Sequence, residues 1–556
     1  KTLLMLAAIF TSCQALPHEL APRLPRGWTV LSEAGHQQKL ELMFAIRQQG
    51  LSDLQDALMH TSTPDSPGYG KHLTNDQVQR LTAPTAEDLL TVRTFFQNQH
   101  MVLRAATPNS DMLAVELTVA EAERLLSTKY HALKHKATGN IVHRTITNYS
   151  LPPAIAAVVD FVAPTVHVPG VRSLNLTALA QRQVEEGLTA GPRDNTPKHL
   201  KTLYSMSEET AGKAPKNKQA VTAFLGQHFS KQALHDFWNK YCSGITCGQG
   251  QPALVGDATT GSPGVESMLD IETITGVAGG VKSEFWGFGG RSPDNPENEP
   301  FLKWLSMVSS TGDDDVPKIF STSYGEDEAS WSLRAATRLN IEFQKAGARG
   351  ISLLYAAGDE GANCKEGKYV PEGPGSSPWV TAVGGTQPAG GYPKPGPGSE
   401  IAAGLSSGGF SSYWPQPTYQ KTAVEAYLSA HGSDVPAGRG VNISGRAYPD
   451  IAAQATDFCV TPFGCGIAGT SCASPTAAAV FSLLNDLRMQ QGKASLGFLN
   501  PLIYSNAGAL NDITSGSSEG CGFTRKGWPA RKGWDAVTGV GTLNYAKLAK
   551  VVTALP

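Results

Sequence analysis

Beyond Thr196 the chain sets short apolar runs, at residues 220–224, 318–323, 351–357 and 379–383, between longer amphipathic stretches. Short apolar strands separated by helices must be covered on both faces, which is the signature of a mostly parallel α/β sheet. In such a sheet the ligand crevice opens beyond the carboxyl ends of the strands. The residues that follow each run are therefore the ones to read for chemistry.

A length of 556 residues exceeds what one hydrophobic core usually organises, and 40% hydrophobic content suits packed domains throughout. The formal charge of -2, from 46 basic and 48 acidic side chains, gives no net field to draw nucleic acid or an anionic membrane surface. Residues 1–15 join Lys1 to an apolar run and end in small residues near Cys13 and Ala15, the pattern of a signal peptide. From about residue 25 to 170, strand-like runs such as 40–46 alternate with helix signals such as 85–97, as in a compact α+β unit. Within it, Thr118 and Glu121 form a capping box that starts a helix at Val119. Residues 185–196 are polar, with Glu185, Glu186, Gly187, Gly191, Pro192 and Arg193, and read as an exposed, cleavable linker.

A secretory route permits disulfides, and seven cysteines lie beyond the signal. Cys242 with Cys247 and Cys459 with Cys465 are spaced to close small loops, which leaves Cys364 and Cys521 as a long-range bridge and Cys472 free. No CxxC pair or histidine spacing supports zinc. Sequons stand at Asn148, Asn175 and Asn442.

The sharpest local feature is the heptapeptide Gly-Thr-Ser-Cys-Ala-Ser-Pro at 469–475, followed by an apolar helix over 476–487. Ser471 then stands at a helix amino end, where unpaired amides and the helix dipole stabilise a developing oxyanion. Pro475 is placed in the first turn, where its missing N–H has no helical partner to lose. Alone, such a serine is an ordinary cap. The heptapeptide, however, resembles the nucleophile signature of the subtilisin-like clan, which sends the search to a proton acceptor. His199, His228, His235 and His431 lack the His-Gly-Thr-His setting of that clan and read as surface residues.

Carboxylates answer better. Pro263 can start a helix that carries Glu266 and Asp270 four residues apart, hence on one face, among Met268, Leu269, Ile271 and Ile274. Two buried carboxyls so placed share a proton and titrate together. Asp359 follows the run at 351–357 and lies between Gly358 and Gly361, which permit a tight turn and close backbone approach to a ligand. Cys472 has small or apolar neighbours and reads as a buried thiol, not a nucleophile.

Glu266, Asp270, Asp359 and the 469–475 heptapeptide, in this order and these contexts, resemble the sedolisins, the serine-carboxyl peptidases. Further matches are SGGFS at 407–411, SGRAYPDIAA at 444–453 and GFLNPLIY at 497–504, so the resemblance spans nearly the whole chain. It implies a ferredoxin-like α+β prodomain over 16–184 acting as intramolecular inhibitor, the linker at 185–196, and a subtilisin-like α/β catalytic domain over 197–556. It implies Ser471 as nucleophile, Glu266 as its base, Asp270 as partner of Glu266, and Asp359, protonated, in the oxyanion hole. It implies substrate binding along Ser323, Tyr324 and Gly325 and at Gly408. The acidic run Glu326, Asp327, Glu328 that follows could attract a free amine, but reads as a solvated turn. It also implies one structural calcium ion at Asp512, Ile513, Arg531, Gly533 and Asp535, where Arg531 stands in a place relatives fill with glycine. The expected enzyme is an acid-acting, self-activating peptidase on peptide or unfolded-protein substrates, lysosomal or in an extracellular acidic space. It releases tripeptides from free amino termini or, alternatively, cleaves internally.

Overall fold

The computed structural model describes residues 17–168 and 194–556, apart from 22–23, 25–26, 137–138, 140, 249, 293–297, 390–398, 437 and 522–525. The signal segment 1–15, Asn175 and all but the last three residues of the linker lie outside the described residues. The chain forms two compact units, one of residues up to 48 with 84–168, the other of 49–83 with the chain from 169 onward.

In the first unit, Lys39–Ile46, Arg104–Ala105, Met112–Thr118 and Val159–Ala163 make a four-stranded sheet. Numbered in chain order, these strands lie 2-3-1-4, with helices Ala86–Asn98 and Val119–Leu126 as crossovers, which is the ferredoxin-like arrangement. Phe44 sits opposite both Leu113 and Val162, so one strand joins its two neighbours to a common core with Val92 and Phe96. The capping box is present: Thr118 N–H donates to Glu121 Oε2 at 2.7 Å, and Glu121 N–H donates to Thr118 Oγ1 at 3.3 Å. Asn148 is exposed.

The second unit is built on an eight-stranded sheet. Its strands are β1 (Lys218–Ala223), β2 (Ala253–Val255), β3 (Lys282–Gly287), β4 (Ile319–Thr322), β5 (Ser352–Ala356), β6 (Thr381–Pro388), β7 (Glu400–Ala402) and β8 (Ile451–Gln454). They run in the order β7-β6-β5-β4-β1-β3-β2, with β8 also on β6. Every pairing is parallel except that of β6 with β7. The helices that matter for chemistry are α1 (Val265–Val277), α2 (Leu333–Ala348) and α3 (Thr470–Gln490). α1 and α3 are buried along nearly their whole lengths and pack on each other. A helix apolar on all sides belongs in the core.

Three boundaries differ from the sequence reading. α1 begins at Val265 behind Gly264, two residues after Pro263, whose backbone instead bridges to His228. α3 begins at Thr470, so Pro475 falls in its second turn and removes the N–H that would have paired with the Ser471 carbonyl. The largest difference concerns residues 49–83, expected within the N-terminal unit. Helices Leu51–Ser62 and Asn75–Thr82 instead bury Leu54, Leu58 and Val78 against Ile341, Ala348 and Phe498 of the second unit. Gly347 makes room for this: a β-carbon there would come within 2.8 Å of Leu58 Cδ1. Leu73 N–H donates to Ala348 O at 2.8 Å, and His72 Nε2 meets Ser495 O at 2.8 Å. Disulfides join Cys242 to Cys247, Cys364 to Cys521 and Cys459 to Cys465, leaving Cys472 a free, buried thiol.

Candidate active site

Two strands of the large sheet and one helix converge at the sheet's carboxyl end. β5 leads into Gly358 and Asp359, β4 leads into Ser323, and α3 opens at Thr470 and Ser471 against α1. The N-cap position of α3 is Gly469, whose α-carbon faces Asp359: a β-carbon there would lie 2.8 Å from Asp359 Oδ2.

Asp359 is tied to the nucleophile's neighbour. Its Oδ1 accepts Thr470 N–H at 2.6 Å and the Thr470 hydroxyl at 2.8 Å. Both donors fall on Oδ1, so Oδ2 is the oxygen positioned to carry a proton. Burial pushes the Asp359 pKa up, and the two Thr470 bonds pull it back. The residue is open to solvent on one side, which moderates that effect and is what a ligand of a substrate oxygen needs. The heptapeptide alone did not single out Thr470 for this second duty, since a threonine at a helix start reads as a cap.

Glu266 and Asp270 lie one turn apart on α1, 5% and 0% exposed. Asp270 Oδ1 accepts the Ser323 hydroxyl at 2.7 Å. Burial, then the neighbouring Glu266 carboxylate, push the Asp270 pKa far up, against that one bond. The pair thus keeps a proton at pH values where free carboxyls have lost theirs. Ser471 is 6% exposed at the amino end of α3, where Thr470 N–H is bonded to Asp359 and Cys472 N–H to Gly469 O at 3.0 Å. Asp359, Glu266 and Asp270 all act electrostatically on the Cys472 thiol, the residue next to Ser471, so the three carboxyls face the amino end of α3. Burial pushes the Cys472 thiol far up, so it stays protonated and is no rival nucleophile.

Of the residues read as substrate-binding, Ser323 holds Asp270 with its side chain. Tyr324 is buried in an edge-on contact with Phe224, and Gly325 packs so that a β-carbon would meet Gly373 O at 2.8 Å. Gly408 is buried against the Ala536 carbonyl and the Pro449 ring, packing that accounts for the glycine by itself. The acidic run is not a solvated turn. Glu328 is 3% exposed, and its carboxylate accepts Ser376 Oγ at 2.8 Å, Ser411 Oγ at 2.5 Å, Ser412 N–H at 2.7 Å and Tyr413 N–H at 3.1 Å. Asp327 takes Asn363 at 2.8 Å and Lys365 at 2.6 Å. The sequence read three adjacent acids by their polarity, whereas the donors that bury Glu328 come from about 50 and 85 residues further on and have no local signal.

The residues read as a calcium site fall in two segments near the C-terminus, 512–513 and the turn at 531–535. Asp512 Oδ2 accepts Gly533 N–H at 2.9 Å, and Asp535 Oδ2 accepts Arg531 N–H at 2.8 Å. Asp535 is fully buried, with its pKa pushed to about 7 by that burial, the condition of a carboxyl that a cation would ionise. The Arg531 guanidinium turns to Asp434, at 2.8 and 3.1 Å, so its charge is answered away from the turn. Asp535 Oδ1 also accepts Val537 N–H at 3.1 Å and Thr538 N–H at 2.8 Å, so the two carboxylates are of the oxygen type a hard cation takes, while both Asp535 oxygens already hold N–H or O–H donors of this turn. Ile513 is buried beside it, and Asn442 is exposed.

Comparison with known proteins agrees with this geometry. Residues 26–168 match the family model described as the pro-kumamolisin activation domain, and residues 254–522 the one described as the subtilase family. The chain is 34% identical over 564 residues to tripeptidyl-peptidase 1 of Canis lupus familiaris, covering 99% of this chain and 98% of that protein. It is 35% identical over 549 residues to tripeptidyl-peptidase 1 of Homo sapiens, covering 95% and 94%. Among solved structures, Pseudomonas sedolisin, a serine-carboxyl proteinase, matches with a TM-score of 0.51 at 23% identity over 65% of this chain and 98% of that one, a likeness of fold. An activation domain, a subtilisin-like sheet and relatives of nearly the same length place this chain in the sedolisin family of serine-carboxyl peptidases, as a serine-type peptidase.

Proposed function

We propose that this chain is the zymogen of an acid-acting peptidase that releases tripeptides from the free amino termini of peptides and unfolded proteins. The observation that carries the acid dependence is the buried Glu266–Asp270 pair on α1, the helix packed against the one that carries Ser471. Ser471 Oγ attacks the peptide carbonyl while Glu266 takes its proton, and Asp270 holds the proton within the pair. Asp359, protonated at Oδ2, donates to the oxyanion, and its raised pKa supports that protonation state. A carboxylate base continues to work in acid, where an unperturbed histidine, near about 6.5, is already charged. The substrate backbone lies along residues 323–325 by strand addition.

The tripeptide register is carried by relatives named tripeptidyl-peptidase 1. Internal cleavage is the alternative. A tripeptide reporter compared with its N-acetylated form separates the two: acetylation abolishes turnover under the tripeptidyl reading and leaves it unchanged under the other. The prodomain, residues 16–184, of which 26–168 match the activation-domain model, serves as the chain's own inhibitor until cleavage in the linker. The relatives' tripeptidyl-peptidase role supports a secretory route to a lysosome or an acidic extracellular space, and no helix among the described residues is long and apolar enough to cross a membrane. Asp512 and Asp535, with backbone oxygens of Ile513, Arg531 and Gly533, would hold calcium. That ion would neutralise two carboxylates and cross-link the turn.

Incubating the purified precursor in acid tests the whole reading. A shorter product with peptidase activity is expected from the natural chain and neither from Ser471→Ala. Full activity in that variant overturns the assignment of the nucleophile.

A further inference from the structure

Asp359 sits on a loop between two glycines, and a loop of that kind does not hold a side chain to a fraction of an ångström by itself. Its side chain is tied to Thr470. Its backbone is tied from a different direction. Ser407 N–H donates to Gly358 O at 2.9 Å, and Glu360 N–H donates to Ser407 Oγ at 3.1 Å. One buried serine therefore grips the residues immediately before and after Asp359.

A hydroxyl has one proton, and the structure shows where that of Ser407 goes. Ser407 Oγ donates to Glu372 Oε1 at 2.6 Å, which leaves a lone pair turned to the Glu360 amide. Glu372 is itself fixed: its N–H donates to Tyr448 Oη at 2.8 Å, and its neighbour Gly373 pairs with Glu326. Its carboxyl lies directly over Gly358, whose φ is +112° and whose α-carbon has no room for a β-carbon because the Glu372 carboxyl fills that space. The carboxyl thus does two things at once: it orients the Ser407 hydroxyl and it forms the floor under the loop that carries Asp359.

We infer that Glu372, acting through Ser407, is a positioning residue that sets the place of Asp359 in the oxyanion hole. This inference rests on the reading of Asp359 as the oxyanion acid. The charged groups facing Glu372 are Asp327, Asp359 and Lys365. Burial, seconded by the two carboxylates, pushes its pKa far up against the Ser407 bond and Lys365. Over the acid range it is therefore neutral and adds no charge that would disturb Asp359. What it supplies is an acceptor of fixed position. An oxyanion donor displaced by a fraction of an ångström loses stabilisation of the transition state and not of the bound substrate.

The test is steady-state kinetics on the acid-matured enzyme for Glu372→Ala, Ser407→Ala, Glu372→Gln and Asp359→Ala, with melting temperatures in parallel. Glu372→Ala and Ser407→Ala should each lower kcat by about 10- to 100-fold with KM within about twofold. Glu372→Gln keeps a carbonyl acceptor for Ser407 and should recover kcat to within about threefold of the natural enzyme. In an Asp359→Ala background, Ser407→Ala should cost nothing further, because both act through one group. Should Glu372→Ala fail to mature, Ser407→Ala and Glu372→Gln carry the same test. The inference is overturned if folded Ser407→Ala keeps full kcat, if Glu372→Gln is as impaired as Glu372→Ala, or if the losses add to that of Asp359→Ala. Full activity of Asp359→Ala by itself would instead overturn the reading of Asp359.

Discussion

Two buried helices of the same unit each carry a pair of ionisable side chains one turn apart, and they solve the same problem in opposite ways. On α2, Lys345 Nζ meets Glu342 Oε2 at 2.9 Å, with the two side chains 2% and 3% exposed. On α1, Glu266 and Asp270 are as deeply buried and bear the same sign. Opposite charges can be buried together with both protonation states fixed. Like charges can be buried together only if a proton sits between them, and that proton is mobile. The α2 pair has nothing to give a reaction. The α1 pair has a proton to take and return, and its helix is the one packed against α3, which carries Ser471.

Exchanging the consequences of mutation between the two helices is the strongest way to break this contrast. Glu266→Gln and Asp270→Asn each remove the shared proton, and kcat should fall by about 10²- to 10⁴-fold, as for loss of a general base. Neither should lower the melting temperature, since each relieves like-charge burial. On α2 the order reverses. Lys345→Met leaves Glu342 buried without that cation and should cost about 3–5 kcal/mol of stability, read by denaturant melts. The kcat of the folded fraction should not change, and Glu342→Leu added to Lys345→Met should recover most of the loss. A stable but inactive Lys345→Met, or an unstable but active Asp270→Asn, would sink the comparison.

The pH dependence sharpens it. Burial holds the pKa values of Asp270, Glu272 and Glu400 above their usual carboxylate values. The folded state therefore binds more protons than the unfolded state, and this stabilisation is complete in acid and lost as pH rises from about 4 through the raised values. Melting temperature should fall from acid toward neutrality, and less steeply in Asp270→Asn. His72 has the opposite sign. Burial, with Lys318 and Arg488 nearby, lowers its pKa to about 4, against its bond to Ser495. Its contribution is complete above about pH 6.5 and is lost as pH falls toward about 4, a change of about 3 kcal/mol. Acid should therefore tighten the sheet that carries the site while loosening the 49–83 segment. Protection factors in Leu51–Ser62 and Asn75–Thr82, taken against the intrinsic exchange rate at each pH, should fall between about pH 6.5 and about 4, and should be flat in His72→Phe.

Much of the site was legible because its chemistry is local in sequence. The heptapeptide at 469–475, the four-residue spacing of Glu266 and Asp270, and a lone acid between glycines at the end of an apolar run are each short patterns with a physical reason. The parallel sheet was legible for a similar reason, since β1, β4, β5 and β6 fall within the apolar runs or extend them by a few residues. What could not be read depends on partners far along the chain. Glu328 is polar by composition, and only the folded chain brings Ser376, Ser411 and two amides to it. Residues 49–83 look like part of the first unit by position, yet Leu54 and Leu58 find their apolar partners some 290 residues later, at Ile341 and Ala348. Ser407 stood in a recognised motif, but nothing local tied it to Glu372.

A third pair gives the smallest expected effect and shows what burial contributes. Arg531 and Asp434 are oppositely charged and bonded twice, at 2.8 and 3.1 Å, but the arginine side chain is 39% exposed. Water and salt screen such a pair, so Asp434→Asn should cost less than about 1 kcal/mol, shrinking further in high salt. The Lys345→Met loss should not respond to salt. Asp434→Asn does leave the Arg531 charge uncompensated near Asp512 and Asp535, where the ion would sit. Calcium should raise the melting temperature of the natural chain by a few degrees, on the order of 1 kcal/mol, and raise that of Asp434→Asn by less. Equal calcium increments in the two proteins would mean that Asp434 does nothing for the ion. No increment in either would remove the site itself and leave the exposed pair as a plain surface contact.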